Sequence, residues 1–156
     1  MAELAARGLT IAVAESLTGG LLVADLIDVP GASAVVLGGI VAYNTALKHS
    51  LLGVSAGLLA EHGAVHPEVA AQMARGVRLA CAVAGLPADL GVATTGVAGP
   101  DPQDGQPVGT VFVAIADADG AVVTELALSG SRDAIRHEVV SESRVRLAKF
   151  LTESGA

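Results

Sequence analysis

The chain has 156 residues, of which 52% are hydrophobic and only 2% aromatic, and its formal net charge at pH 7 is −7. This length predicts one domain over residues 1–156 with a core that needs no disulfide, and the single cysteine excludes an intrachain bridge. The negative charge argues against a nucleic-acid surface, and the lack of a leader-like start favours a cytoplasmic protein.

The longest uncharged run, between Asp28 and Lys48, approaches the length of a membrane-spanning helix. Pro30, a Gly-Gly pair at 38–39 and a strand-like alternation interrupt it, so we expect a soluble protein that does not contact a membrane. A chain this rich in alanine, valine and leucine is also expected to leave apolar surface, which favours a homo-oligomer.

Hydrophobic periodicity and turn residues predict alternating strands and helices in the first half of the chain. In chain order these are a strand over 10–14, a helix over 18–28, a strand over 35–43, a short helix from Thr45, another over 55–61 and a long helix over 66–83. Asn44 or Thr45 is expected to cap the helix after the second strand. Pro67 is a favourable first residue for the long helix.

The second half begins with a buried strand over 90–95 and a Gly/Pro-rich loop over 96–109. Two strands over 110–116 and 121–128 flank an Asp119-Gly120 turn, which is a strong hairpin signal. A last helix over 132–151 follows, capped by Ser129 or Ser131. This order predicts a three-layer α/β/α sandwich with a mixed, mainly parallel sheet and one antiparallel hairpin.

The first candidate site is the turn after the first strand, Ser16-Leu17-Thr18-Gly19-Gly20. A strand, a glycine turn and a helix would expose one hydroxyl beside the backbone N–H groups of a helix N-terminus. Such a place suits a nucleophile whose reaction builds an oxyanion. The alternative is that Ser16 or Thr18 only caps the helix.

The second candidate site is Tyr43-Asn44-Thr45-Ala46-Leu47-Lys48, which contains one of the two lysines of the chain. A lysine amine can lose its proton, whereas an arginine cannot. A helix N-terminus and partial burial both lower a lysine pKa towards the range of a general base. The alternative is a surface lysine beside a half-buried tyrosine.

The third candidate site is the glycine loop that follows Thr94 and Thr95, whose backbone amides can face an oxyanion or a phosphate. It matches neither the Walker nor the dinucleotide-binding glycine pattern, and an ordinary surface connection is the alternative. No histidine lies in a Ser-His-Asp context. His62 and His66 are four residues apart, but Gly63 and Pro67 interrupt the helix that would align them as ligands, so no metal site is expected.

Together, four segments resemble the CinA C-terminal domain family, also known as nicotinamide-nucleotide amidohydrolase or PncC. They are Ala-Glu-Ser-Leu-Thr-Gly-Gly at 14–20, Tyr-Asn-x-x-x-Lys at 43–48, Thr-Gly-Val-Ala-Gly-Pro at 95–100 and Pro-Val-Gly-Thr-Val at 107–111. The segments occur in the family's order, and the resemblance extends over about residues 4–151.

The resemblance implies hydrolysis of the carboxamide of nicotinamide mononucleotide to nicotinate mononucleotide and ammonia, with no metal or cofactor. By matching position it implies Ser16 as nucleophile and Lys48 and Tyr43 as its catalytic partners. The nucleotide phosphate is expected at the Thr18–Gly20 helix start or against Arg132, with Arg136 as the alternative arginine. The candidate substrate-binding residues are Thr18, Gly19, Gly20, Asn44, Thr95, Gly96, Ala98, Gly99 and Arg132.

Two positions depart from the family pattern. Leu17 stands where cysteine is common, and the loop over 101–106, Asp-Pro-Gln-Asp-Gly-Gln, has less glycine than usual. Longer CinA proteins carry a further N-terminal domain with pyrophosphatase activity, which is not expected of this chain. The alternative function is a non-catalytic module in competence or DNA-damage responses; the presence of Ser16, Tyr43 and Lys48 together favours the enzyme.

Overall fold

Helices and strands alternate in the first third of the chain, and two further helices, three successive strands and a long helix complete the fold. The computed structural model describes residues 1–153. The strands are β1 (Ile11–Glu15), β2 (Val36–Val41), β3 (Leu90–Gly96), β4 (Thr110–Ala116) and β5 (Ala121–Ala127). The helices are α1 (Ala2–Arg7), α2 (Leu21–Ile27), α3 (Thr45–Leu52), α4 (Ala56–His62), α5 (Pro67–Ala80) and α6 (Arg132–Glu153), and a 3₁₀ turn spans Ala32–Ala34.

The five strands form one mixed sheet in the order β2-β1-β3-β4-β5. Strand β1 runs parallel to both β2 and β3, whereas β4 runs antiparallel to β3 and to β5. The predicted mixed sheet and hairpin are therefore confirmed, with the parallel pairings on one side and the antiparallel pairings on the other. Because β1 and β3 are parallel, the residues that follow Glu15 and Thr94 lie at the same edge of the sheet.

Strand β1 shows how the sheet is covered on both faces, since successive side chains of a strand point in opposite directions. Ala12 and Ala14 belong to a core shared with α3 and α5. Ile11 and Val13 belong to a second core shared with α2 and α6. This arrangement confirms the predicted three-layer sandwich.

Most element boundaries lie close to the predicted ones, and the differences have local causes. Helix α2 begins at Leu21 rather than residue 18, because Gly19 and Gly20 adopt φ values of +60° and +101°. Helix α5 ends at Ala80 rather than residue 83, where a tight turn with positive φ at Ala84 replaces the last helical turn. Helix α1 was not predicted, since its six residues carry little periodic signal.

The side chains of short polar residues, which are common helix caps, cap the N-termini of three helices. The Asn44 side chain accepts from the Ala46 amide and the Ser55 hydroxyl from the Leu58 amide. Of the two serines proposed for the last helix, Ser131 is the cap, because its hydroxyl accepts from the Ala134 amide. Within residues 1–153, none of the helices combines the length and apolar character needed to cross a bilayer.

Close packing of α5 against α3 depends on a glycine. A Cβ atom placed on Gly76 would lie 1.8 Å from the Leu52 carbonyl oxygen and 2.7 Å from its carbonyl carbon. Since the obstacle is backbone, the two helices would have to separate to admit it. This approach matters for the site because α3 also carries Lys48.

Gly76→Ala is therefore expected to destabilise the fold by about 1–3 kcal/mol, the usual cost of overpacking a core. Gly57→Ala in α4 is the matched control, because its nearest neighbour, the Ser55 hydroxyl oxygen, would lie 3.7 Å from the new Cβ. That control should be neutral or stabilising by up to about 1 kcal/mol. Urea unfolding followed by circular dichroism measures both, and equal unfolding free energies would contradict the close approach.

Candidate active site

Ser16 lies in a tight turn immediately after β1. Its amide donates to the Thr94 carbonyl at 3.0 Å, which continues the β1–β3 ladder by one residue. Its own carbonyl accepts from the Gly19 amide at 3.1 Å, which closes the turn. Glycine at 19 and 20 permits the positive φ values that this turn requires. The serine side chain is thus held by backbone bonds on both sides.

The buried carboxylate of Glu15 caps helix α2. One of its oxygens accepts from the amides of Gly20 and Leu22, each at 3.0 Å, and the other accepts from the Val23 amide at 2.8 Å. Glu15 is fully buried, and these N–H groups are those that a helix start leaves unsatisfied. The expectation that Ser16 or Thr18 caps this helix was wrong.

This cap also corrects the expected phosphate site. The amides at the start of α2 already bind an anion that belongs to the chain itself. Thr18 is fully buried, and its hydroxyl shares a 2.8 Å hydrogen bond with that of Thr94. Thr18, Gly19 and Gly20 therefore shape the turn, and they do not line the pocket described below.

Arg136 holds the same turn from the opposite helix. Its guanidinium donates to the Leu17 carbonyl at 2.9 Å and to the Thr18 carbonyl at 3.1 Å. These two bonds join α6 to the β1–α2 turn across more than a hundred residues of sequence. Of the two arginines considered for substrate binding, Arg136 thus has a structural task, which leaves Arg132 as the candidate.

Lys48 contacts Ser16 from helix α3. It is the fourth residue of α3 and is fully buried. Its ammonium group donates to the Ser16 hydroxyl oxygen at 2.9 Å and to the Ala42 carbonyl at 2.7 Å. Asn44, a candidate substrate-binding residue, lies away from the pocket lining and instead begins the helix that positions this lysine.

Burial changes the proton affinity of this amine. Desolvation lowers the pKa of Lys48 from its ordinary value of 10.5 to about 8, although the negative charge of Asp104 acts in the opposite direction. Removal from water disfavours the charged form of a lysine. A large fraction of Lys48 is therefore neutral in weakly alkaline solution, and a neutral amine at 2.9 Å can accept the proton of Ser16.

The structure places Tyr43 differently from its expected catalytic role. The side chain is 60% exposed, and its hydroxyl oxygen accepts from Arg132 at 2.9 Å. No hydrogen bond joins it to Ser16 or Lys48 among the contacts of residues 1–153, so it does not bridge the two. A second guanidinium nitrogen of Arg132 donates to the Gly99 carbonyl at 2.6 Å. Tyr43 and Arg132 together form the rim of the pocket.

A small pocket of about 170 Å³ opens above the Ser16–Lys48 pair. Eight of the sequence-predicted residues line it, namely Ser16, Tyr43, Lys48, Thr95, Gly96, Ala98, Gly99 and Arg132. The lining also includes Leu17 and Val97, which belong to the candidate segments but were not assigned a role, and four residues outside the predicted set: Ala64, Val65, Asp101 and Gln103.

Backbone amides at the pocket differ in whether they are already bonded. The Val97 amide donates to the Thr110 carbonyl at 2.9 Å. Within the described part of the chain, neither the Leu17 amide nor the Ala98 amide forms a hydrogen bond. The Thr95 hydroxyl donates to the Ala64 carbonyl at 2.7 Å, so it supports the pocket wall. The N–H groups of Leu17 and Ala98 are thus among those of the lining that remain available to a bound molecule.

The two histidines before α5 lie close together although the helix is interrupted between them, as predicted. Helix α4 does end at His62 and α5 does begin at Pro67, yet the intervening turn stacks the His62 and His66 rings with their centroids 4.6 Å apart. His66 caps α5 by accepting from the Glu68 amide. Among residues 1–153, no three histidine, cysteine or acidic side chains cluster in a way that would hold a metal ion.

Glu15→Gln tests the cap that shapes the turn carrying Ser16. The amide retains only one carbonyl oxygen and turns an NH₂ group towards backbone N–H donors, so at least one buried donor loses its partner. We expect a loss of about 1–3 kcal/mol in unfolding free energy, measured by urea denaturation. Glu125→Gln, on the exposed side of β5, is the matched control and should leave stability unchanged. Equal stability of the two variants would refute the role of the Glu15 carboxylate.

Comparison with known proteins agrees with this architecture. The model of the CinA C-terminal domain matches residues 1–151. A CinA-like protein of Frankia casuarinae is 54% identical over 136 residues, which is 86% of this chain and 30% of that protein. A CinA-like protein of Geobacter sulfurreducens is 51% identical over 131 residues, or 83% of this chain and 30% of that protein. The chain thus spans about a third of the length of these curated relatives.

Solved structures of CinA-related proteins have the same fold as this chain. A CinA superfamily protein from Klebsiella pneumoniae superposes with a TM-score of 0.89 at 32% identity, covering 97% of this chain and 92% of that chain. The competence/damage inducible protein CihA from Agrobacterium tumefaciens gives a TM-score of 0.87 at 33% identity, covering 97% and 90%. Because the family model matches residues 1–151 of the 156 in this chain, the chain belongs to the CinA C-terminal domain family.

Proposed function

We propose that this chain is an amidohydrolase that converts nicotinamide mononucleotide to nicotinate mononucleotide and ammonia through a serine nucleophile. The observation that carries the proposal is the 2.9 Å contact between the buried Lys48 amine and the Ser16 hydroxyl at the base of a pocket. The contact supports the reaction type, because it pairs a nucleophile with a base of lowered pKa. The family resemblance supports the choice of substrate.

Acylation begins with neutral Lys48. The amine accepts the Ser16 proton while the serine oxygen attacks the carboxamide carbon, forming the carbon–oxygen bond of a tetrahedral intermediate. Lys48 then gives that proton to the amide nitrogen as the carbon–nitrogen bond breaks, and ammonia leaves. The Ala42 carbonyl, 2.7 Å from the amine, keeps the lysine aligned with Ser16 throughout.

Backbone amides stabilise the negative oxygen of the intermediate. We assign this task to the N–H groups of Leu17 and Ala98, because both residues line the pocket, neither amide has a hydrogen bond within the described residues, and Leu17 directly follows Ser16. Fixed N–H donors directed at a developing oxyanion contribute several kcal/mol to catalysis, about 2.7–4 kcal/mol for one donor. Glu15 and Arg136 support this arrangement, since they hold the turn that carries Leu17.

The size and rim of the pocket indicate how a nucleotide would lie. Pockets that enclose a whole drug-sized ligand occupy about 300–1,000 Å³, whereas this pocket measures about 170 Å³. The pyridine carboxamide therefore enters it, and the ribose phosphate extends along the open rim. Arg132 is exposed there, and its guanidinium can form paired hydrogen bonds with a phosphate. Tyr43 orients that guanidinium through its hydroxyl.

Deacylation uses the same base, with water as the proton donor and Ser16 as the leaving group. Lys48 accepts a proton from a water molecule, and the resulting hydroxide attacks the acyl-enzyme ester. The ester carbon–oxygen bond breaks, the proton returns to Ser16, and nicotinate mononucleotide is released. The proton of the hydroxide stays on the product carboxyl group and is lost to solvent as that group ionises, and the other transferred protons pass among Ser16, Lys48, water and the leaving ammonia.

The direct test is ammonia release from nicotinamide mononucleotide by the purified chain, with and without a strong chelator. Ser16→Ala should reduce turnover at least about 10³-fold while substrate still binds, since the rim is unaltered. Ser50→Ala, an exposed serine on the helix that carries Lys48, is the control and should keep full activity. Substantial ammonia release by Ser16→Ala would exclude Ser16 as the nucleophile, and loss of activity with chelator would exclude the metal-free route.

The pH dependence of the rate tests Lys48 as the base. Because only the neutral amine accepts a proton, kcat/KM should rise with pH and level off above the Lys48 pKa of about 8. Lys48→Arg keeps the charge but supplies no neutral base, so activity should fall about 10²–10⁴-fold. Lys149→Arg, at the exposed end of α6, is the matched control. A fully active Lys48→Arg variant would show that the residue acts as a fixed charge.

A further inference from the structure

The acidic loop between β3 and β4 forms one side of the pocket. Asp101 and Gln103 line it, and Gln103 and Gln106 close a tight bridge that holds Asp104 at its tip with φ of +52°. Asp104 itself does not line the pocket. Its carboxylate turns away from the opening, towards the segment between α4 and α5.

Asp104 and Thr95 fix the peptide groups of Ala64 from two directions. One Asp104 carboxylate oxygen accepts from the Ala64 amide at 2.7 Å. The Thr95 hydroxyl donates to the Ala64 carbonyl, also at 2.7 Å. Ala64 and Val65 are buried and line the pocket, so these two bonds hold one of its walls.

Gly63 makes room for this contact. A Cβ atom at this position would lie 2.2 Å from the Asp104 carboxylate carbon and 2.5 Å from one of its oxygens. Its φ of +72° also lies in the region that favours glycine. The wall therefore admits the Asp104 carboxylate at close range only because residue 63 has no side chain.

The same carboxylate acts on Lys48 through charge, and it is the acidic group whose field raises the pKa of that amine. The other charged or titratable groups near the site lie at the rim or have partners of their own. Asp101 and Arg132 lie at the rim, and the Glu15 carboxylate is taken up by the amides of α2. Helix α5 packs against α3 with apolar side chains, and His49 on α3 bonds the Val54 carbonyl.

We propose that Asp104 is a positioning residue of this site, whose carboxylate fixes the Ala64 wall and places a negative charge within range of Lys48. The claim that Asp104 fixes the wall is inferred from the contacts of Ala64 and Gly63. The consequence for the rate rests on the proposed amidohydrolase function. Asp104 thereby links the shape of the pocket to the protonation of its base.

The two lysines of the chain make the charge effect measurable without any substrate. With ¹³Cε-labelled lysine, Lys48 and Lys149 give two signals, assigned by Lys149→Arg. Asp104→Asn keeps an acceptor for Ala64 but removes the charge, so the Lys48 midpoint should fall by about half a pH unit. The exposed Lys149 should not shift, and Asp119→Asn in the β4–β5 turn should leave both midpoints unchanged.

The hydrogen-exchange rate of the Ala64 amide tests whether Asp104 holds this wall of the pocket. Asp104→Ala removes the acceptor, so the Ala64 amide should exchange at least about tenfold faster than in the wild type, while core amides of β3 keep their rates. Asp104→Asn should stay near the wild-type rate. In the activity assay, Asp104→Asn should move the rising limb of kcat/KM to lower pH, and Asp104→Ala should also raise KM.

The outcomes separate this proposal from the proposed function. An unchanged Lys48 midpoint in Asp104→Asn, or an unchanged Ala64 exchange rate in Asp104→Ala, overturns it whether or not the chain releases ammonia. Changes in both measurements with no ammonia release would support the positioning role and refute the amidohydrolase. The asparagine variant preserves the hydrogen bond, so the charge test holds even if the alanine variant fails to fold.

Discussion

The Glu15 carboxylate at the end of β1 is the interaction on which the rest of the site depends. It is fully buried, and it accepts hydrogen bonds from three backbone N–H groups at the start of α2. Through these bonds one side chain joins β1 to the helix that follows and determines the turn between them. An arrangement often used to bind a substrate anion serves here to hold the chain itself, and Ser16 is thereby directed at Lys48.

Burying Lys48 has opposite consequences for stability and for chemistry. Its pKa falls from 10.5 in water to about 8 in the folded chain, so the unfolded chain binds more protons between these values. The contribution of this residue to stability therefore increases as pH rises through that window, and at lower pH the fold must accommodate a charged amine. The Ser16 oxygen and the Ala42 carbonyl partly compensate, and the same desolvation makes the amine a competent base.

Parallel pairing of β1 with β3 explains why distant segments converge. Both strands end at one edge of the sheet, as ligand sites of α/β folds commonly require. Ser16 follows the first strand, and Thr95 and the glycine loop belong to the other. Helices from the two covering layers then contribute Lys48 from one side and Arg132 from the other. The pocket lies where all three layers meet.

The sequence by itself determined what depends on near neighbours along the chain: the order of strands and helices after α1, a cap at Asn44, the hairpin turn, and the motif residues Ser16 and Lys48. Only the tertiary structure decided which groups those residues meet. The sequence pattern left Glu15 just beyond the predicted first strand, indicated Tyr43 as a partner of Ser16, and placed Asp104 in a divergent loop. Their contacts with α2, Arg132 and Ala64 depend on sheet register and helix packing, which no local pattern encodes.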